Sequence, residues 1–202
     1  MLIVEALAQD HRKLEQLMDE LADAPSTEPR ARLELFGRLQ SLLQAHSRAE
    51  EEVVYRALRR KLPEDPEPLQ AYEQHHVADL LLQELASSAP GHARWSAKAR
   101  VLDECLRLHI REEEITTFAL IGQHFDDVAQ AGMAHDFLAV KHETVEALLG
   151  PLRQAMPGFA GRALLPAQVF AARLMRRGEL YLRRADGGAH KLRAAQHRRA
   201  AG

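Results

Sequence analysis

The sequence predicts an all-α protein, an up-down-up-down four-helix bundle followed by additional C-terminal helices. Composition supports this fold class, because Leu, Ala, Glu, Arg and Gln dominate the 202 residues while β-branched and aromatic residues are scarce. Periodicity supports it more strongly, because apolar residues recur at helical spacing in four segments that short breaks separate. Four amphipathic helices with short connections are typical of a bundle.

The breaks bound the four predicted bundle helices and a fifth one. We predict the bundle helices over residues 3–24, from the break DAPSTEPR to about 62, over 68–86 and over 93–118. The motifs PEDPEP and SSAPGH separate the later segments. A short connection then leads to a fifth helix over about 127–149, which Gly150 and Pro151 should end.

The same pattern of helices and breaks predicts three regions in the chain. We expect residues 1–122 to form the bundle and residues 123–150 to contribute a fifth helix packed on it. Residues 151–202 should form a basic C-terminal extension, helical over 166–184 and disordered at its end.

Charge is distributed unevenly along the chain, although the net charge is only −2. Residues 151–202 hold 11 of the 27 basic and 2 of the 29 acidic residues, which leaves the first 150 with 16 basic and 27 acidic. Such a tail can bind nucleic acid, an anionic membrane surface or a protein partner. It lacks the motifs of a specific nucleic-acid module, so we favour a tail that packs on the acidic bundle or stays solvated. A protein partner for the tail stays open.

The sequence also predicts a cytoplasmic protein without a membrane span. No run of about 18 apolar residues is present. The first residues, MLIVEALAQDHRKL, lack the basic start and long apolar core of a secretory signal. One cysteine, Cys105, cannot form an intrachain disulfide, which is typical of a reducing compartment.

Two similar motifs occur in the second and fourth predicted helices. HSRAEEEVVYRAL begins at His46 and HIREEEITTFALI at His109, and each has two adjacent glutamates starting four residues after its histidine. An aromatic residue follows nine residues after each histidine, Tyr55 in the first motif and Phe118 in the second. A shift of 64 residues also lays His11 on the third-helix histidine, so the two halves of the bundle repeat.

A metal site is the interpretation that best explains these polar residues on inward helix faces. Each predicted helix carries one histidine in its apolar stripe: His11, His46, His75 and His109. Glu50 and Glu113 share a helix face with two of them, one turn away. Buried carboxylates are costly unless a cation compensates them. Imidazole and carboxylate ligands suit iron, manganese or zinc, and the alternative is a buried His–Glu hydrogen-bond network.

Four segments resemble the helix signatures of the hemerythrin-like, or HHE cation-binding, family. They are DHRKLEQLMDEL, HSRAEEEVVYRAL, YEQHHVADLLLQEL and HIREEEITTFAL, and the resemblance covers residues 5 to about 122. The fourth departs from the family pattern, because TTFAL stands where an aromatic-Pro pair usually follows the second glutamate. The resemblance implies a non-haem di-iron centre in which an oxo or hydroxo group bridges two iron ions, with zinc or manganese as alternatives.

The resemblance also implies the ligands. They are His11, His46, Glu50, His75, His109 and Glu113, with the two glutamates bridging the metals. The oxygen carriers of the family have another histidine four residues after the third-helix ligand, where this chain has Asp79. We include Asp79 as a predicted metal residue, although this substitution argues against reversible oxygen carriage. We prefer His75 to His76 because His75 shares a face with the apolar residues of its helix.

Function follows as an expectation from this resemblance. We expect a protein that binds or senses dioxygen or a related oxidant such as peroxide or nitric oxide, in iron or redox stress. The alternatives are a di-iron enzyme that turns over peroxide or another small redox substrate, and a metal-stabilised interaction module. Glu51 and Glu114 either contact the ligands or are solvated, and Tyr55 and Phe118 should wall the site. We assign no separate catalytic residue.

Overall fold

The structure, a computed structural model, describes residues 1–155, with side chains up to residue 148. Within that part the chain consists of helices and short connections without a strand, and the helices form the predicted up-down bundle. The α-helices are α1 Ile3–Asp23, α2 Pro29–Ala49, α3 Arg56–Lys61, α4 Glu67–Ala86, α5 Ala93–Glu112, α6 Phe118–His124 and α7 Asp127–Ala155. No helix among them is both long and apolar enough to cross a membrane.

Local sequence explains where the helices begin. Glu5 reaches back so that its carboxylate accepts the backbone N–H of Leu2 at 2.8 Å, just before α1. Pro29 opens α2, where its missing N–H costs no helical hydrogen bond. Asp65 accepts the N–H of Glu67 at 2.9 Å at the start of α4. Each cap satisfies or removes a donor that the first helical turn leaves without a partner.

Two π-helical turns interrupt the second and fourth bundle helices without bending the chain away. The first spans Glu50–Tyr55 and joins α2 to α3, and the second spans Glu113–Thr117 and joins α5 to α6. Both junctions keep right-handed helical backbone angles, so each bundle helix continues through its π turn. The predicted end of the fourth helix at residue 118 is therefore too early, since α6 extends to His124. Single π turns in α-helices are rare and often mark functional sites.

The fifth helix, α7, packs against α1, α2 and the first π turn. It runs to Ala155, so the prediction that Gly150 and Pro151 end it is wrong. A proline removes one backbone donor, and a glycine before it relieves the usual clash with the preceding Cβ, so the helix can pass through. The helix predicted over 166–184 and the disordered end lie outside the described residues. The three-region division remains a prediction.

Two apolar clusters form the core, one toward each end of the bundle. The first includes Leu14, Leu21, Phe36, Leu82, Trp95 and Leu102. The second includes Ile3, Leu7, Tyr55, Leu58, Ile121 and Phe137. His11 lies on α1 between Leu7 of one cluster and Leu14 of the other. Each fully buried large side chain contributes about 1.5–3 kcal/mol, so the apolar clusters hold the polar layer between them in place.

Candidate metal centre

A buried layer of polar side chains crosses the middle of the bundle. The four predicted histidines and the two predicted glutamates are each at most 4% exposed. Glu50 Oε2 lies 3.1 Å from His46 Nε2 and 3.3 Å from His75 Nε2. Glu113 Oε2 lies 3.4 Å from Nε2 of His11 and 3.4 Å from Nε2 of His109. All four Nε2 atoms therefore face the same pair of carboxylates.

These atoms fall into two groups, each compact enough to hold one metal ion. The first contains His11, His46, Glu50 and Glu113, and the second contains Glu50, His75 and His109. Within each group the candidate ligand atoms lie within 4.8 Å of one another. Glu50 belongs to both groups, as a carboxylate bridging two metal ions would.

Unsatisfied hydrogen-bonding capacity shows that these residues fit a metal centre. The buried atoms without a hydrogen bond include both carboxylate oxygens of Glu50, Oε2 of Glu113, Nε2 of His11 and both ring nitrogens of His46. Buried polar atoms in folded proteins are normally hydrogen-bonded, and leaving several together unpaired is costly. Metal ions bound to nitrogen and oxygen atoms would remove this cost.

Outside the layer, the second glutamate of each motif contacts a histidine from the other half of the bundle. Glu114 Oε1 lies 3.0 Å from His11 Nδ1, and Glu51 Oε1 lies 3.0 Å from His75 Nδ1. A carboxylate that accepts the Nδ1–H of an imidazole fixes its tautomer and leaves Nε2 free for a metal. In each motif the first glutamate therefore faces the centre, and the second orients a histidine ligand.

The other two histidines have polar neighbours at Nδ1, at ion-pair distance for His46 and at hydrogen-bond distance for His109. Asp10 Oδ2 lies 3.5 Å from His46 Nδ1, and the amide oxygen of Gln74 accepts from His109 Nδ1 at 2.8 Å. Asp10 and Gln74 are 64 residues apart, so they occupy equivalent positions in the internal repeat. The sequence analysis missed both residues, and their equivalence in the repeat is the signal that could have found them.

The π turns explain how one helix presents two adjacent glutamates to different partners. Each turn begins at the inward glutamate, Glu50 or Glu113, and includes the one after it. A π turn inserts an extra residue into the helical repeat and shifts the side chains that follow. Sequence propensities contain no signal for such a turn, so the analysis of periodicity could not locate it.

Aromatic side chains close the layer on two sides. Tyr55 donates its hydroxyl hydrogen to Glu113 Oε1 at 2.5 Å, and its oxygen lies 3.5 Å from His75 Nε2. Phe118, the equivalent residue of the second motif, stacks on His11 with ring centroids 6.0 Å apart. Both wall the site as predicted, but Tyr55 also contributes a polar group to it.

Electrostatics favour the charged forms of Glu50 and of some of the histidines in the metal-free layer. Burial lowers the pKa of His11, but the close contacts with Glu113 and Glu50 and their charges outweigh it and raise the pKa to about 10. Burial also lowers the pKa of His75, but close contacts with Glu50 and Glu51 outweigh it and raise the pKa to about 10. His109 differs, because burial lowers its pKa. Burial raises the pKa of Glu50, yet the charge of His46 and close contacts with the histidines hold it well below its usual range. Protons on imidazoles thus supply positive charge that metal ions can replace.

The two ligand groups do not include Asp79, His76 or two other residues that could bind metal, Glu15 and Cys105. Asp79 is exposed on α4, one turn after His75, and neither ligand group includes it. Its pKa is raised, chiefly through partial desolvation by the protein around it. His76 is exposed, and Glu15 pairs with Arg12 at 2.7 Å. Cys105 is half-buried. A ligand role for Asp79 remains a prediction.

Comparison with known proteins places this geometry in a family. The sequence model of the hemerythrin HHE cation binding domain matches residues 2–121, more than half of the chain. The chain belongs to the hemerythrin HHE cation-binding domain family. The matched region contains every residue of the two ligand groups.

Two known proteins are similar to this chain. A crystal structure of a hemerythrin HHE cation binding domain-containing protein, the Rv2633c homolog from Mycobacterium kansasii, superposes with a TM-score of 0.67 at 21% identity. It covers 85% of this chain and 99% of its own, and at this identity it shows the shared fold alone. A protein named DNA nickase from Nostoc sp. (strain PCC 7120) is 29% identical over 148 residues, which are 73% of this chain. The match spans 41% of that relative's length.

Proposed function

We propose that this hemerythrin-like chain holds two iron ions at the buried layer and binds or senses dioxygen, peroxide or nitric oxide. Zinc or manganese would suit the same ligands and are the alternatives to iron. Iron bound by such ligands supplies one-electron chemistry with small oxidants. The convergence of four Nε2 atoms on two buried carboxylates, several of whose atoms have no hydrogen bond, supports this proposal most directly.

Each group around the metals has a role in this proposal. The four histidines, Glu50 and Glu113 would hold the two ions, and Glu50 could contribute to both because it belongs to both ligand groups. The Tyr55 hydroxyl donates to Glu113 and so fixes the orientation of that carboxylate. Phe118, stacked on His11, limits the entry of water from that side. Because the ligands are each at most 4% exposed, this layer would admit small ligands and exclude larger ones.

Turnover of peroxide is a second candidate, favoured by one observation. The hydroxyl of Tyr55 is buried beside the ligands, and its one hydrogen, which Glu113 accepts in the metal-free layer, could turn from Glu113 to a bound oxidant. Burial and the charges of Glu113 and Glu50 raise its pKa well above the usual value, so the phenol stays protonated. A protonated donor beside the ligands suits catalysis better than simple storage.

Spectra of the iron-loaded chain test both candidates. The full-length protein is loaded with ferrous iron without air, desalted, and mixed with dioxygen, peroxide or nitric oxide. A near-ultraviolet or visible change with at least one of them supports oxidant binding, and no change with any of them rejects it. Consumption of many peroxide equivalents per chain supports the enzyme, provided that His109→Ala abolishes it and Cys105→Ala does not.

Three further predictions belong to this proposal. Asp79 remains a proposed ligand, and loss of one metal ion in Asp79→Ala supports that role while retention of two rejects it. The single cysteine supports a cytoplasmic location. We propose no DNA-directed activity, because the match to the protein named DNA nickase spans only 41% of that protein.

A further inference from the structure

The fifth helix reaches the candidate metal centre through a buried ion pair. Lys141 of α7 donates to Asp10 Oδ2 of α1, and the same oxygen lies 3.5 Å from His46 Nδ1. The side chains of Lys141 and Asp10 are 15% and 3% exposed. Phe137, one turn earlier on α7, sets its ring edge-on to His46 with centroids 5.9 Å apart. Two residues of α7 therefore contact the surroundings of a single ligand.

The repeat-related half of the bundle lacks this arrangement. Gln74 occupies the position equivalent to Asp10, and its neutral amide accepts from His109 Nδ1 at 2.8 Å. The amide nitrogen of Gln74 donates in turn to Glu112 at 2.6 Å. His46 thus lies beside a charged carboxylate that pairs with a lysine, whereas its counterpart His109 donates to a neutral amide.

This difference should make the two metal positions unequal. A carboxylate next to the outer ring nitrogen of a histidine increases the basicity of the nitrogen that binds the metal, and an amide does so less. The first position also has two carboxylates in its ligand group, whereas the second has one. Both differences favour tighter binding beside His11 and His46.

Two lysines pair with Asp10, but only Lys141 pairs with Oδ2, the oxygen that faces His46. Lys13 lies 3.5 Å from the other oxygen, and its side chain is 60% exposed, against 15% for Lys141. Without Lys141, the oxygen beside His46 would be buried without a cation, and the carboxylate would be destabilised by lost hydration or would turn toward solvent. Replacing a buried ion pair with apolar groups is often neutral or stabilising, so stability alone does not explain why this one is present. Its contact with a ligand gives it a specific use.

We propose that Lys141 is a positioning residue which, through Asp10, fixes His46 and makes the metal position of His11 and His46 the tighter of the two. The inference rests on the metal-binding function proposed above. The fifth helix is then part of the metal centre as well as a cover over α1 and α2.

Stepwise titration of the metal-free, full-length chain with Co²⁺ tests this proposal. The visible absorption of Co²⁺ reports filling of each position, and competition with a chelator gives two affinities. We expect Lys141→Met to weaken the tighter affinity by about 10-fold to 100-fold and to leave the weaker one within about twofold. Lys141→Arg should retain most of the tight binding, because it keeps the positive charge next to Asp10. Lys98→Met removes a surface pair with Glu84 and serves as the matched control.

The outcomes separate this inference from the proposed function. Unchanged affinities in Lys141→Met, or an equal loss of both, would overturn the positioning role. If Lys141→Met does not fold, Asp10→Asn makes the same test, since it gives His46 a neutral partner like Gln74; it should weaken only the tighter affinity. A wild-type chain that binds no Co²⁺ would overturn the proposed metal function together with this inference.

Discussion

Glu51 on the first π turn accepts a hydrogen bond from Nδ1 of His75 on α4 at 3.0 Å. Glu114 makes the equivalent contact with His11 at the same distance, so each half of the repeat orients a ligand of the other half. These two contacts connect residues of all four bundle helices around one centre. It also explains why each motif contains two adjacent glutamates, one for the metals and one for a neighbouring histidine.

Glu51→Gln should weaken metal binding without removing it. The amide keeps the size of the side chain and can still accept from His75, but it no longer carries the charge that strengthens the imidazole as a ligand. We expect metal affinity to fall by about 10-fold, at the lower end of the effect of such orienting partners. Glu114→Gln should act in the same way through His11. Metal titration with a competing chelator measures both effects.

Glu52→Gln is the matched control for this prediction, because Glu52 pairs at the surface with Arg48 at 2.7 Å. Its metal affinity should equal that of the wild type. Equal weakening in Glu52→Gln and Glu51→Gln would show a general charge effect and argue against the orienting role.

Tyr55→Phe should destabilise the metal-free chain and leave its metal capacity intact. The substitution removes the donor to Glu113 Oε1 from a fully buried site. Because a hydrogen bond to a charged group is lost, the free energy of unfolding should fall by about 1.5–3 kcal/mol. Urea unfolding of the metal-free protein measures this, and metal analysis of the loaded protein should still find two ions.

Tyr72→Phe provides a comparison, since it deletes a tyrosine hydroxyl that donates to the Glu51 carbonyl at 2.9 Å, outside the ligand layer. A neutral hydrogen bond contributes about 0.5–1.5 kcal/mol, so the loss should be smaller. An unfolding free energy of Tyr55→Phe no lower than that of Tyr72→Phe would contradict the buried contact with Glu113.

The stability of the metal-free chain should fall as pH rises from 6.5 toward 10. His11 and His75 have folded-state pKa values of about 10 against 6.5 in the unfolded chain, so the folded state binds more protons across this range. Their contribution is complete below pH 6.5 and is lost as pH rises through the folded pKa. Within this range, each of the two histidines should lower the free energy of unfolding by about 1.4 kcal/mol for every unit by which the pH rises.

Metal loading should abolish this decline, because metal ions bind the neutral imidazoles and release the protons. Urea unfolding at several pH values, with and without metal, makes the comparison. Stability of the metal-free chain that is flat or rising over this range would show that the histidines are not held protonated by Glu50 and Glu113.

Most of the bundle could be predicted from sequence because helical periodicity and Pro-containing breaks are local signals. The inward histidines followed from the same periodicity, since His11 and His46 stand in apolar stripes. The end of α7 was misplaced, because Pro151 can be accommodated where a glycine precedes it. A local breaker signal is weaker than the packing of a long helix against the bundle.

The partners of the ligands could not be predicted in the same way. Which histidine Glu51 contacts depends on which helices are neighbours and on a π turn that propensity does not encode. Lys141 lies 131 residues from Asp10, so no sequence pattern connects them. These contacts are set by tertiary packing and become visible only in the folded chain.

Metal content per chain tests the central claim most directly. The full-length protein, Glu50→Ala and the control Glu52→Ala are loaded with ferrous iron without air, desalted and analysed for bound metal. The shared position of Glu50 in both ligand groups predicts two ions in the wild type and the control, and fewer than one in Glu50→Ala. A wild type without stoichiometric metal, or a Glu50→Ala chain that retains two ions, would contradict the two-metal centre.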